Sequence, residues 1–358
     1  MSVVTRTSHP TAMAPARRTI GPVRGSWAVA IGTLVALTTV SVLVGAADVP
    51  LSDLVSGRLT ANQWVVLLDS RLPRTAAALL AGASMALCGQ IMQVLTANRF
   101  VEPTTTGTTQ SAGLGLVLAM VLAPGLPVMG RMLVATLAAL TGTALFLGVI
   151  SLVRTRGVLM VPLVGMMLAG VIDSVAALVA MNTDLMQMLG TWMTGDLSAV
   201  IAGRYELLWI VGVPCVVAWL AADRFTIAGL GSDVTTNLGL SHARIMALGM
   251  GVVSVVSAVV VVTVGALPFL GLVVPNLVRL LLGDDTRRTV GWVACCGAAM
   301  VVGCDVLGRV LPALTNGLLG RGFHGVGEVP VGTVMGIVGG GVLLVALGRL
   351  AAPARGRA

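Results

Sequence analysis

Apolar residues fall in blocks about twenty long from near residue 27 to near residue 349, with short polar stretches between them. The blocks predict helices at Trp27–Ala46 and at 75–95, 107–123, 131–153, 158–180, 206–222, 244–264, 267–283, 289–311 and 329–349. Each is long enough to cross a lipid bilayer. The pattern therefore predicts an all-α polytopic membrane protein with about ten transmembrane helices. An even number of spans would put both termini on one side. Residues 1–25 read as a cytoplasmic tail, 26–350 as the helical domain and 351–358 as a second cytoplasmic tail. Ala46 and Ala47 resemble a signal-peptidase site, but the apolar run before them exceeds the usual signal length, so a retained first helix is expected.

Composition agrees with this pattern. Hydrophobic residues make up 56% of the chain and charged residues 10%, with mean hydropathy +0.99. Soluble domains carry roughly a quarter charged residues. Every one of the 22 basic residues is Arg, which excludes a P-loop, since that motif requires a Lys. If transport is driven by ATP, another chain must hydrolyse it. The Arg residues lie between apolar blocks rather than on soluble helices, which argues against nucleic-acid binding.

Placing the termini in the cytoplasm collects Arg99, Arg154, Arg156, Arg224, Arg244, Arg287, Arg288, Arg349, Arg355 and Arg357 there, with four more Arg near the start. The opposite side receives Arg58, Arg71, Arg74, Arg131, Arg204 and Arg321. The excess satisfies the positive-inside rule. The linkers 47–70 and 181–206 would then be external. The five Cys, all within apolar spans, read as small buried hydrophobes, and the three His show no ligand spacing. No motif for covalent chemistry or for a cofactor is present.

One polar segment interrupts this scheme. "NRFVEPTTTGTTQSAGLG" (98–115) lies between two apolar blocks. Pro103 and Gly107 break helices, and Thr104–Thr106 are suited to capping the next one. Irregular backbone at membrane depth persists only inside protein or beside a water-filled path. Physics alone leaves two readings, an ordinary turn or part of a pathway.

"RLPRTAAALLAGASMALCGQIMQVLTANRFVEPTTTGT" resembles the hallmark of the iron-siderophore and cobalamin ABC importer permeases (FecCD-type). "GALPFLGLVVPNLVRLLLGDD" (265–285), "DVLGRVL" (305–311) and "EVPVGTVMGIVGG" (328–340) resemble further family motifs, in order. Asn98-Arg99-Phe100-Val101 stands where Asn-Pro-Leu-Ala is commonest, and Asn276 where His is usual; both resemble the ferric-siderophore branch. The linker from Pro312 to Gly327 is longer than the family's. The resemblance implies a non-catalytic ten-helix permease of the cytoplasmic membrane. It would work with a second permease subunit, two ATPase subunits and an extracytoplasmic siderophore-binding (lipo)protein.

The resemblance also implies roles. Arg71, Arg74 and Arg309 would dock acidic residues of the binding protein, with simple interfacial anchoring, and an Asp305–Arg309 pair one turn apart, as competing readings. Asn98, Phe100, Glu102 and Pro103 would form a cytoplasmic gate. Gln90, Gln93 and Asp173 are candidates for the translocation path, with interhelical hydrogen bonding as the alternative. The segment 223–244, expected as two short helices broken by Gly, would couple to the ATPase through Gly229, Asp233, Leu238 and Gly239. The alternative function is a gradient-driven secondary transporter with Asp173 and Asp305 as proton or ion sites.

Overall fold

The computed structural model describes residues 26–45, 56, 60–152, 159–203, 205–319 and 327–351. The expected tails, apart from Ala351, lie outside these residues, as do Ala46 and Ala47, Arg154 and Arg156, and most of the outer linker 47–60. Among the described residues all regular structure is helical.

The helices are α1 (Ser26–Leu43), α2 (Ala61–Leu95), α3 (Thr108–Leu122), α4 (Val128–Leu152), α5 (Met160–Met181) and α6 (Met186–Thr194), then α7 (Gly212–Leu220), entered through a 3-10 turn at Tyr205–Val211. The short α8 (Ala222–Ala228) and α9 (Ser232–Asn237) precede α10 (His242–Thr263), α11 (Leu270–Leu282), α12 (Thr286–Leu319) and α13 (Val331–Ala351). Each predicted apolar block holds a helix. Among the described residues, five helices are long and apolar enough to cross a bilayer, or six if the pair bent by 61° between α7 and α8 counts as one span.

Two boundaries differ substantially from the sequence reading: α12 runs on through Pro312 to Leu319, past the end expected at 311, and α2 starts early. The block expected from residue 75 begins at Ala61, so 61–70 is helix rather than external linker. Thr60 and Gln63 form a reciprocal capping box that starts it. A π-helical turn at Leu67–Arg71 then carries the chain to Pro73 in the first turn that follows. Arg71 and Arg74 thus sit inside a long helix, not at its end.

Helix α2 is the centre of the bundle and packs against α10, α11 and α12. Small residues make this approach possible. Gly82 of α2 lies on the backbone of Gly297 in α12, where a Cβ would come within 2.6 Å of the Gly297 carbonyl. Gly89 meets Gly271 of α11 in the same way. Such contacts let transmembrane backbones pack closely by dispersion. By contrast α4 and α5 keep Leu133, Leu137, Met166, Met167, Val171 and Leu178 exposed, as lipid-facing or subunit-facing helices do.

The chain after α10 turns back through Gly265 and Phe269, both at positive φ. It is tied by Ala266 N–H to the Trp192 carbonyl (2.7 Å) and by Asp196 N–H to the Val264 carbonyl (2.8 Å). These bonds fix where the short α11 begins.

Candidate translocation site

The opening polar segment folds as a compact connection between α2 and α3. Pro103, Val101, Thr106 and Glu102 are buried, and Glu102 is only 1% exposed. Its Oε1 accepts from the Thr104 hydroxyl at 2.6 Å and from the Phe269 amide at 3.2 Å. The amides of Gly271 and Leu272 also point at this carboxylate. Glu102 therefore caps the free N-terminal donors of α11 from a different part of the chain. Burial pushes its carboxyl up to about 7, opposed by the Thr104 hydroxyl and by these three amides.

Two further bonds join the same parts. The Gln93 amide donates to the Gly271 carbonyl at 3.0 Å, and the Asn276 amide donates to the Arg99 carbonyl at 2.8 Å. Asn98 is buried, and its Oδ1 accepts from the Phe100 amide. Phe100 itself is half-buried. The four gate candidates thus lie together, stitched to α11.

The threonines do not cap α3 as expected. Gly107, at φ +84°, occupies the N-cap without any side-chain cap. Thr105 and Thr106 instead donate to the Glu102 carbonyl, which tightens the connection on itself. The cap and the turn compete for the same hydroxyls, and the left-handed glycine lets the turn win.

Gln90 and Gln93 both bond between helices. Gln90 donates to the Thr289 hydroxyl of α12 at 2.7 Å. Both side chains are buried, and their Oε1 atoms have no partner. Asp173 lies apart from them, on an exposed face of α5 beside Val171 and Val175.

At the N-terminal half of α2 the three docking candidates come together, but their guanidinium groups bond within the chain. Arg71 NH1 donates to the carbonyls of Val42 and Leu43 at 2.8 and 2.7 Å. Arg309 NH1 donates to those of Ser41 and Val44 at 2.8 and 2.6 Å. The carbonyls at the C-terminal end of α1, which no further helical turn can satisfy, are taken by two cations. Asp305 pairs with Arg309 at 2.6 Å, as its spacing allowed, and with Arg74 at 2.7 Å. Arg74 also reaches Glu328 at 2.5 Å. Glu328 and the α1 carbonyls were not legible as partners, because they are remote in sequence.

The segment 223–244 does hold two short helices, α8 and α9, separated at Gly229–Gly231. Gly229 rests against the Val94 carbonyl, where a side chain would collide. Phe225 is buried, whereas Leu230, Val234 and Leu238 are 65%, 40% and 60% exposed. Asp233 and Gly239 are also exposed, and Gly239 has φ +76°. Asp223 pairs with Arg287 of α12 across the segment's base.

The sequence model of the FecCD transport family matches residues 33–349. The chain belongs to the FecCD transport family. It is 37% identical over 314 residues to the petrobactin import system permease protein of Bacillus subtilis (strain 168), covering 88% of this chain and 95% of that one. It is 37% identical over 284 residues to the ferric-anguibactin transport system permease protein of Vibrio anguillarum, covering 79% of this chain and 87% of that one. The vitamin B12 import system permease protein of Vibrio cholerae is 31% identical over 282 residues, covering 77% and 80%. Among solved structures, an inward-facing putative metal-chelate type ABC transporter superposes with TM-score 0.72 at 21% identity, covering 92% of this chain and 100% of that one. This FecCD-family chain is an ABC transporter permease, integral to the cytoplasmic membrane.

Proposed function

We propose that the chain translocates a ferric siderophore from a binding protein into the cytoplasm by alternating access, driven by ATP hydrolysis in partner subunits. The observation that carries this reading is the match along nearly the whole chain to permeases named for petrobactin and anguibactin, at higher identity than to the vitamin B12 permease. The bundle supports it chemically. Half-buried Phe100, in the connection 96–107, is an apolar group suited to an inner gate. Exposed Leu230, Val234 and Leu238, in and beside α9, are apolar groups suited to an ATPase groove. Such a permease acts with a second permease subunit and two ATPase subunits.

The secondary-transporter alternative has less support. Asp305 is already paired with two guanidinium groups, which makes it a poorer candidate for a proton or ion site. Asp173 alone stands in its favour. Uptake of radiolabelled ferric siderophore into cells carrying the full importer decides between them. We expect vanadate to abolish uptake and a protonophore to leave initial rates unchanged; the reverse pattern overturns the proposal. A Phe100→Cys variant adds a gate test: its thiol should react with a maleimide in some nucleotide states and not in others.

A further inference from the structure

Helix α5 (Met160–Met181) is long and apolar enough to cross a bilayer, and Asp173 is the one charged residue in it. At 1.5 Å per residue Asp173 stands about 20 Å from the start of the helix and about 12 Å from its end, within the hydrocarbon depth. Its side chain is exposed on the bundle. Among the described residues no hydrogen bond or ion pair holds it. The two buried acids are by contrast satisfied, Asp305 by two guanidinium groups and Glu102 by a hydroxyl and three amides. A lone carboxylate against lipid is costly, and ionisable groups at this depth face a bundle interior or a water-filled cavity.

The packing of α5 places this carboxylate. Gly165 lies against the Thr105 carbonyl, where a Cβ would come within 2.5 Å, and Ala169 and Ile172 lie against Gly107. Further along, Ala176 and Ala180 pack with Val117 of α3. Helices α3 and α5 therefore run side by side in the same direction, away from the connection 96–107. Gln110 lies on α3 between Gly107 and Val117, at the level of Asp173. Its amide nitrogen donates to the Thr104 carbonyl at 3.0 Å, while its Oε1 is buried without a partner. At about 100° per residue, Asp173 borders the buried stripe of Ala169, Ala176 and Ala180 on one side and exposed Met166 and Gly170 on the other. A Cβ at Gly170 would meet no atom within 4 Å. The seam between α3 and α5 thus carries two acceptors that lack donors, beside the connection 96–107.

We propose that this seam is a wall of the translocation path and that it selects by charge. It favours a ferric chelate that presents a protonated amine or another cationic group, and disfavours one that presents a free carboxylate. A carboxylate between low-dielectric walls concentrates cations and repels anions. Gln110 Oε1 offers an N–H donor a second acceptor. The inference rests on the importer reading and deepens it, by naming the charge of the group carried past α5.

The test uses the complete importer in proteoliposomes with Ser174→Cys as reporter. Ser174 is exposed, one residue from the carboxylate, and its hydroxyl bonds only to the Gly170 carbonyl of its own helix. The rates of modification by a cationic trimethylammonium-ethyl and an anionic sulfonatoethyl methanethiosulfonate are read by mass spectrometry of the peptide, with the parent chain as control for its own five Cys. We expect both reagents to react and the cationic one to react faster. Adding Asp173→Asn should lower the ratio of the two rates by at least about fivefold, the effect of one charge a few ångströms away in water. Asp173→Glu should keep the ratio. Reaction with a membrane-soluble maleimide but with neither charged reagent puts this face in lipid and overturns the proposal. An unchanged ratio in Asp173→Asn overturns the charge selection. Should Ser174→Cys fail to assemble, Gly170→Cys, on the same open face, reads the same ratio. The labelling requires no transported chelate, so its failure is distinct from failure of the siderophore assignment, which the uptake experiment reads.

Discussion

Arg74 and Asp305, 231 positions apart in the chain, are joined by two hydrogen bonds of 3.0 and 2.7 Å to one carboxylate oxygen. The other oxygen takes Arg309. A single acid thus holds two cations, and one of them also anchors the end of α1. The carboxylate side chain is 1% exposed. Removing one partner of a buried ion pair leaves charge uncompensated and costs about 3–5 kcal/mol. Asp305→Ala should lower the unfolding free energy of the detergent-purified protein by that order and loosen α1. Proteolysis or hydrogen exchange of residues 26–45 is the matching local readout. A variant as stable as wild type, with α1 still protected, would mean that the cluster contributes nothing to the fold.

The same geometry divides the three docking arginines. Arg71 and Arg309 bind the end of α1, so replacing them should damage folding along with any capture of a binding protein. Arg74 faces Glu328, whose side chain is 35% exposed, and a partner's carboxylate could take its place. We therefore expect Glu328→Gln to strengthen capture of the siderophore-binding protein by up to about fivefold, the range of an exposed charge pair. Surface plasmon resonance against the reconstituted permease measures it. Unchanged or weaker capture would count against Arg74 as the docking contact.

What the sequence showed and what it hid follow from reach. Helix blocks were legible because lipid demands long apolar runs, and the pair Asp305–Arg309 because a four-residue step returns to one helical face. The start of α2 was misplaced because residues 61–70 include Gln63, Asp69 and Ser70, which weaken an apolar window even though the capping box at Thr60 begins a helix. Gln90 and Gln93 stand three apart and so share a face, but that face meets α12 and α11, which spacing alone does not reveal. The link from Glu102 to the Phe269 amide crosses 167 positions, and no local pattern encodes it.

That link makes the final prediction. Glu102 is buried, and its carboxyl is raised from 4.5 to about 7. A group whose pKa is higher in the folded state stabilises the fold fully below its unfolded value and progressively less as pH rises through the folded one. The protonated carboxyl therefore helps most near pH 4.5, and the help fades up to about pH 7. At full extent the difference is about 3 kcal/mol. Glu102→Gln keeps an oxygen to accept the Phe269 amide and has no proton to lose. Between pH 5 and pH 8 the wild type should therefore lose stability relative to Glu102→Gln. Parallel thermal unfolding of both proteins in detergent gives the comparison, and the other titrating groups cancel. Hydrogen exchange at Phe269, Gly271 and Leu272 localises the effect to the cap of α11. Parallel pH profiles for the two proteins would show that Glu102 does not titrate in this range, and would remove it as a pH-sensitive tie between the connection 96–107 and α11.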